Sequence, residues 1–375
     1  MLVEREFRER LFVQIQCDHR QDGECIPRRV CAPTLMHMAD ATPTLRSDED
    51  LRLRDRVANA LLQTVPLRRL EGIGFLGAID YAKKGSGRQP HRRRHNRKEH
   101  SIGVAKLAET YALEVEIEER DRKTLVCAAL LHDVGHGPLS HTLEPVFEER
   151  FGIDHHRTTR DIVKGSTRFG SQILDILKEF DVDPDDVLAL IDGQDDGKHA
   201  FLFSAPINID TLEGITRCRA FVGPRSAFGS ASAAVRRWAT SGRLPQNDFD
   251  DFWSLKNSVY NLVINAPLGR LLDTVAQSYM AANIDKFSPD DFLKTERSFR
   301  ASHAELFSYL NIVLEEEDDL RSRLPKSWLA VDVKINDRKF FVDESVELAG
   351  PHQIDARYKQ TRSRYSVKLE DLIKG

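Results

Sequence analysis

The sequence predicts an all-α helical core followed by a small C-terminal α+β addition. Apolar residues recur at helical spacing from Ser47 to about residue 325, and strict alternation appears only after that point. No repeat or low-complexity segment interrupts the pattern. A chain of 375 residues is long enough to bury one principal core with additions. We expect four regions: an irregular N-terminal extension (1–45), a catalytic core (46–228), a helical extension completing it (229–325) and a C-terminal region (326–375).

Residues 1–45 show no clean period and contain three prolines, so they are predicted to be irregular. The first helix is expected after Ser47, because Asp48–Asp50 place acidic residues near a positive helix end. Later helices are expected from their apolar faces. They are predicted around Val57–Leu62, Ile102–Ala108, Thr124–His132, Leu139–Phe151, Thr158–Lys164, Ser171–Phe180, Pro184–Ile191, Ile207–Phe221, Asp248–Asn265, Leu268–Ile284 and Asp290–Leu314.

The C-terminal region changes from a helical period to a strand period. Ala330–Ile335 alternates, Asn336-Asp337 is a turn signal, and Lys339–Val342 is a second apolar run. This pattern predicts a β-hairpin that turns at Asn336-Asp337.

Composition favours a globular cytoplasmic protein. The formal net charge is −4, no apolar run is long enough to span a bilayer, and the N-terminus lacks the apolar core of a signal peptide. Cys17, Cys25 and Cys31 match no compact zinc-finger spacing, and we interpret them as part of the extension. Cys127 and Cys218 lie in apolar patterns, so no disulfide framework is predicted.

The strongest chemical signal is the segment His132–His141, which holds three histidines and an aspartate directly after the apolar run Leu125–Leu131. Adjacent helical residues project about 100° apart, so His132 and Asp133 can face one ion only where the helix is ending. Gly135 and Gly137-Pro138 supply that ending. A structural pair of imidazole and carboxylate is the alternative, but the concentration of histidines favours a metal site.

A second signal lies upstream, in Arg97–Ser101. Arg97 and His100 are three residues apart and therefore share one helix face. A guanidinium beside a metal-binding imidazole suits phosphate recognition, because its fork binds two phosphate oxygens. The wider run Arg92–Lys98 lacks interleaved aromatic residues, so a solvated basic rim is favoured over a nucleic-acid surface.

These two motifs resemble those that define the HD-domain phosphohydrolases. The string His132–His141 is similar to the deoxynucleoside triphosphate triphosphohydrolase branch of that superfamily. The resemblance is specific over 95–141, is recognisable from Pro66 to Phe228, and does not reach 1–45. It implies an all-α HD-domain core that binds one divalent metal ion through His100, His132, Asp133 and Asp210.

The donor set suits iron, manganese, nickel, zinc or magnesium without choosing among them. Magnesium could also accompany a nucleotide substrate. The resemblance implies a homo-oligomer without a membrane partner. It also implies that His136, His141 and His156 bind phosphate or transfer protons, with His155 as the alternative to His156. Glu144 could orient His141 across one helical turn, and Arg97 is expected to bind substrate.

The sequence differs from this branch of the family at residues that are expected to line the substrate pocket. Gly74 and Phe75 stand where the family usually has Lys-Gln, whose glutamine reads the deoxyribose hydroxyl. Glu213-Gly214 replaces Asp-Tyr, Cys218 replaces an aspartate, and Thr211 replaces a basic residue. The sequence therefore predicts phosphohydrolysis more firmly than it predicts the substrate.

We expect a metal-dependent phosphohydrolase of a nucleotide or related phosphoester, with deoxynucleoside triphosphates as one candidate. Alternatives are a cyclic dinucleotide phosphodiesterase or a nucleoside monophosphate phosphatase. A different class would be a nucleotide-sensing or nucleic-acid-binding module without turnover. The accessory histidines argue against it, because binding alone has little need of proton donors.

Overall fold

A computed structural model describes residues 52–81, 95–195, 197, 199–222, 226–241, 246–315, 320–348 and 354–373. The extension 1–45, the helix start at Asp48–Asp50, the three N-terminal cysteines and Arg92–Arg94 lie outside these ranges. The described chain is predominantly helical with one two-stranded antiparallel sheet, as the sequence predicts.

The helices fall in the order expected, with bounds set by their caps and breakers. They are α1 Arg56–Leu61, α2 Val65–Arg69, α3 Arg97–Glu114, α4 Glu119–Leu131, α5 Glu144–Phe151, α6 His155–Val163, α7 Gln172–Glu179, α8 Pro184–Ile191, α9 Phe201–Ser204, α10 Ile209–Arg217, α11 Arg219–Val222, α12 Ala231–Ser241, α13 Gln246–Val259, α14 Pro267–Ala282, α15 Glu296–Ser302, α16 Ala304–Glu315, α17 Leu320–Arg323, α18 Lys326–Leu329, α19 Ile354–Arg357 and α20 Leu369–Leu372. Short 3₁₀ segments cover Leu70–Gly72, Gly77–Tyr81, Ser140–Thr142, Ile284–Lys286 and Pro289–Leu293, and a π-helical segment, Tyr260–Ile264, follows α13.

Helices α3 and α4 pack against each other within the main apolar core. Leu125–Leu131 is buried throughout, so this part of α4 is apolar on every side. Asn96 caps α3 by accepting a hydrogen bond from the Glu99 amide at 2.9 Å. Helix α4 ends at Leu131, which confirms the prediction that His132 and Asp133 lie at a helix end.

A second apolar cluster completes the fold on the other side of the histidine segment. Helices α14 and α16 contribute buried residues there, together with Phe292 and Phe299. Leu139 and Phe147 join the same cluster. Residues from the predicted helical extension therefore support the loop that carries the reactive histidines. Among the described residues, no helix is long and apolar enough to cross a bilayer.

The predicted turn at Asn336-Asp337 is wrong. Strand β1 runs unbroken over Asp332–Val342, and its antiparallel partner is β2, Tyr358–Lys368. Asn336 pairs with Arg364 and Asp337 with Ser363 within the ladder. The Asp337 carboxylate accepts hydrogen bonds from Arg270 and from the Tyr365 hydroxyl, so its polarity is satisfied within a strand.

Three long predicted helices are divided, among them Ile207–Phe221, which contains α10 and α11. The segment 290–314 contains a 3₁₀ turn, α15 and α16, because capping boxes at Ser288 and Thr295 begin new elements. The segment 139–151 begins with Leu139 and Ser140 at positive φ, and α5 begins only at Glu144. Gly77 lies against this bend, where a Cβ would come within 2.3 Å of the Leu139 carbonyl oxygen.

Candidate metal centre

Two imidazoles face each other at the centre of the site. His100 lies on α3 and His132 directly follows α4, and their Nε2 atoms are 3.2 Å apart. His132 donates from Nδ1 to the Ala129 carbonyl at 2.9 Å, and His100 donates from Nδ1 to Glu213 at 2.5 Å. In both rings Nδ1 donates to an oxygen acceptor, so Nε2 is the nitrogen left to take up a proton or a metal ion. Two facing Nε2 atoms are stabilised when a cation lies between them.

Two carboxylates approach the same pair of nitrogens. Asp210, in the first turn of α10, places Oδ1 3.0 Å from His100 Nε2 and 3.5 Å from His132 Nε2. Asp133 places Oδ2 3.5 Å from His100 Nε2 and Oδ1 3.5 Å from His132 Nε2. The structure thus brings together all four residues that the resemblance implies as ligands. A set of two imidazoles and two carboxylates fits a divalent cation and leaves coordination positions for water or substrate.

The charges of the site favour a cation. Burial lowers the pKa of His132, but Asp133 and Asp210 outweigh it and raise that pKa to about 9. Burial raises the pKa of Asp210, but hydrogen bonds with His100 and His132 lower it overall. Asp133 likewise has its pKa held well below the usual range by His132 and Arg97, against the effect of burial. A proton or a metal ion is therefore attracted to the space between these groups.

Glu213, which in the sequence only stands out as differing from the family pattern, supports the His100 imidazole. Its carboxylate accepts the hydrogen bond from His100 Nδ1, and Arg217 holds it through two further hydrogen bonds. A carboxylate behind a metal-binding imidazole fixes the ring orientation and raises its basicity. The spacing of Glu213, three residues after Asp210 on one helix face, is the sequence signal that could have indicated this role.

A second cluster lies beside the first and consists of His136, His141, Glu144 and His155. One potential ligand atom from each residue lies within 4.8 Å of the others. His155 donates to Glu144 at 2.7 Å, while His141 lies 3.7 Å from the same carboxylate. The rings of His136 and His155 stack at 4.2 Å, and His141 meets both edge-on. His141 is the solvent-facing member, with 62% of its side chain exposed.

His136 connects the two clusters. Its Nε2 lies 3.2 Å from Asp133 Oδ1, and the residue is fully buried. Neither ring nitrogen has a hydrogen bond of good geometry among the described residues. Burial and the charge of Arg97 hold the pKa of His136 well below its usual range, so the ring is neutral at pH 7.

The expected cluster residue was His156, but the structure places His155 in the cluster. Asp154 caps α6, which turns the first residue of the helix inward and leaves His156 on the exposed side. The centroid of the His156 ring lies 4.0 Å from that of His155, and His156 is not among the four clustered residues. Sequence could not decide between neighbouring residues, because the choice depends on the rotation of α6 about its axis.

Arg97 shares the face of His100, as predicted, and is buried. Its guanidinium contacts the Asp133 carboxylate and donates from Nε to the Ser140 hydroxyl at 2.9 Å. Ser140 in turn donates to the Gly74 carbonyl at 2.7 Å. Arg97 therefore positions Asp133 and the histidine loop, and its remaining donors are the ones that could meet a phosphate.

Phe75 and Gly214, two residues that differ from the family pattern, pack against each other. The Phe75 ring lies 4.7 Å from the His100 ring, and the Arg97 guanidinium lies 5.0 Å above the same phenyl ring. A Cβ on Gly214 would come within 3.2 Å of Phe75 Cζ and 3.6 Å of His100 Cε1. The absence of a side chain at 214 therefore makes room for the phenyl ring beside the metal site.

We expect Gly214→Leu to destabilise the protein by about 1–3 kcal/mol, because the added side chain overpacks this contact. Phe75→Ala in the same chain should recover part of that loss, giving a coupling energy of about 0.5–3 kcal/mol. Urea unfolding of both single variants and the double variant measures the coupling. Additive effects would show that the two positions do not share this space.

Comparison with known proteins agrees with the motifs. Residues 97–195 match the family model of the HD domain. An uncharacterized protein of Bacillus subtilis, YwfO, is 30% identical over 179 residues, covering 46% of this chain and 38% of that protein. Human SAMHD1, named a deoxynucleoside triphosphate triphosphohydrolase, is 39% identical over 98 residues, covering 24% of this chain and 14% of that protein. The chain thus matches less than half the length of these relatives.

A solved structure resembles the whole fold more broadly. The crystal structure of a hypothetical protein from Aquifex aeolicus superposes with a TM-score of 0.55 at 17% identity. The match covers 85% of this chain and 96% of that one. At this identity the similarity concerns the fold alone.

Proposed function

We propose that this protein is a metal-dependent phosphohydrolase acting on a nucleotide or related phosphoester. The observation that carries the proposal is the convergence of His100 Nε2, His132 Nε2 and two carboxylates beside a second cluster of histidines. A structural site would not need four additional titratable groups within reach of the ligands. The match to the HD domain and the similarity to SAMHD1 support the same reaction class.

A bound divalent ion would polarise a phosphoryl oxygen and acidify water at the site. Asp133 and Asp210 would supply negative charge to hold that ion, and Glu213 would keep the His100 ring in its binding orientation. Arg97 would keep Asp133 in place and direct its remaining N–H donors toward the phosphate. These groups are fixed by hydrogen bonds before substrate arrives, which is the preorganisation that transition-state stabilisation requires.

The second cluster would transfer protons during the reaction. Hydrolysis adds water across a phosphorus–oxygen bond, so the leaving oxygen must receive a proton as that bond breaks. His141, the solvent-facing imidazole, could deliver it, with Glu144 holding the ring by charge. His136 and His155, stacked behind it, would orient that imidazole and bind phosphate oxygens.

We expect weak discrimination between ribonucleotides and deoxyribonucleotides. Phe75 has no group that can hydrogen-bond a sugar hydroxyl, and Gly214 offers no ring under the sugar. Discrimination by a site that hydrogen-bonds a hydroxyl reaches ~10⁴-fold or more, whereas an apolar pocket gives only about 10–200-fold. We therefore expect kcat/KM ratios for each ribo/deoxy pair to stay below about 200.

The decisive experiment is a screen of purified protein loaded with manganese, iron, zinc, nickel or magnesium. Nucleoside mono- and triphosphates and cyclic dinucleotides are the substrates, and chromatography identifies the products. Release of phosphate, pyrophosphate or triphosphate by the parent but not by His132→Ala/Asp133→Ala supports the proposal. Binding of nucleotides without turnover under every metal would indicate a sensing module instead.

A further inference from the structure

A carboxylate on α14 lies against the 3₁₀ segment Ser140–Thr142, which carries His141. Asp273 Oδ1 accepts a hydrogen bond from the Thr142 hydroxyl at 2.6 Å, and no ion pair involves Asp273 among the residues that the structure describes. Burial raises the pKa of Asp273 to about 6, against the effect of that hydrogen bond, so the group is mostly ionised at pH 7. A shielded carboxylate without a cation is costly, and neither of the two clusters explains its presence.

Thr142 is held through both its side chain and its backbone. Its hydroxyl accepts a hydrogen bond from the Ala78 amide at 2.9 Å while it donates to Asp273, and its carbonyl accepts from Gln277 Nε2 at 2.8 Å. Asp273 and Gln277 are four residues apart and share one face of α14. Because Thr142 is only 4% exposed, water does not compete for these bonds. Helix α14 therefore fixes Thr142 in place.

The fixed residue follows a bend that a chain rarely adopts. Leu139 and Ser140 have φ values of 58° and 46°, in the left-handed region that residues other than glycine seldom occupy. Such conformations persist only where the surrounding structure holds them. Ser140 is held by hydrogen bonds on one side of His141, and Thr142 is held on the other. With 62% of its side chain exposed, His141 depends on these two neighbours for its position.

We propose that Asp273 is a positioning residue, which holds His141 against the second cluster by accepting the hydrogen bond of Thr142. The inference rests on the proposed function, in which His141 delivers a proton to the leaving oxygen. Asp273 acts only through Thr142. Its role requires an acceptor oxygen facing the Thr142 hydroxyl and does not require a charge. Asparagine can therefore replace it, whereas leucine, of similar size but without an acceptor, cannot.

The direct test follows the His141 ring by NMR in the full chain with ¹³C-labelled histidine and no added metal. The centroids of the His136 and His141 rings are 4.5 Å apart, so their ring protons should give a nuclear Overhauser effect, assigned by its absence in His141→Ala. We expect this signal to be lost in Asp273→Leu and in Thr142→Val, and to be kept in Asp273→Asn and Thr142→Ser. Asp285→Asn, at an exposed carboxylate after α14, is the matched control. Thermal unfolding shows which variants keep the fold.

Hydrolysis gives a second readout, one that a merely structural role would not move. General acid catalysis contributes about 10²–10⁴-fold, so a misplaced donor should lower kcat about tenfold or more in Asp273→Leu, with KM and metal content near the parent. The loss should be larger for diphenyl phosphate than for bis(p-nitrophenyl) phosphate, because phenolate is the more basic leaving group and needs the proton more. Asp273→Asn should recover most of the rate.

An unchanged signal between His136 and His141 in folded Asp273→Leu or folded Thr142→Val would overturn the inference, even if hydrolysis is found. Loss of the signal in Asp273→Asn as complete as in Asp273→Leu would also overturn it, because the acceptor alone would then not suffice. Loss confined to the leucine and valine variants, in a protein that hydrolyses nothing, would leave the placement of His141 by Asp273 standing and remove the hydrolase proposal. The two failures are therefore distinguishable.

Discussion

Replacing both His132 and Asp133 by alanine should abolish metal binding and hydrolysis together. The double variant removes half of the four converging donors and leaves His100 Nε2 with Asp210. Loss of a single group behind a ligand typically costs 10–100-fold in metal affinity, so loss of two ligands should exceed about 100-fold. Elemental analysis of protein purified without added metal, together with competition against a chelating dye, measures the effect.

The control is Asp175→Ala, which removes an exposed carboxylate on α7 and should leave metal content unchanged. Glu213→Gln gives an intermediate case. It keeps an acceptor for His100 Nδ1 but removes the charge, so affinity should fall by about 10–100-fold. Equal metal content in the parent and His132→Ala/Asp133→Ala would contradict the ligand assignment.

Replacing His141 by alanine should lower turnover by about 10²–10⁴-fold while metal content stays near that of the parent, because the variant lacks the proposed proton donor. His141 lies beside Glu144, in the second cluster. His136→Ala should also lower turnover with metal content unchanged, because His136 orients that imidazole and lies outside the group formed by the nitrogens of His100 and His132 and the Asp210 carboxylate. Single-turnover rates and elemental analysis on the same samples separate the two effects.

His156→Ala is the matched control within the same segment. His156 is exposed and is not among the four clustered residues, so its removal should change turnover far less than His155→Ala does. A parental rate in His141→Ala would show that the cluster does not transfer protons. The motifs would then support only a metal site of unknown purpose.

The helical core and the reactive segment are predictable because their signals are local. The apolar run Leu125–Leu131 specifies a buried helix, and the glycines after it specify where that helix ends. The strand pairing is not local: β1 finds its partner in Tyr358–Lys368, across an intervening helix, and not in the residues that follow Asn336-Asp337. A turn signal of two residues cannot outweigh a ladder of eleven paired positions with satisfied side chains.

The sequence by itself predicted the kind of site. The histidines around a helix end predicted a metal site, the family resemblance implied His100, His132, Asp133 and Asp210 as its ligands, and the structure places these four side chains close together. Tertiary structure alone decided that His155 faces inward, that Glu213 holds His100 from 113 positions away, and that Phe75 fills the space left by Gly214. Sequence spacing shows which side chains lie on the same helix or strand. These contacts join different helices and loops, whose rotation and packing are fixed only when the core is buried.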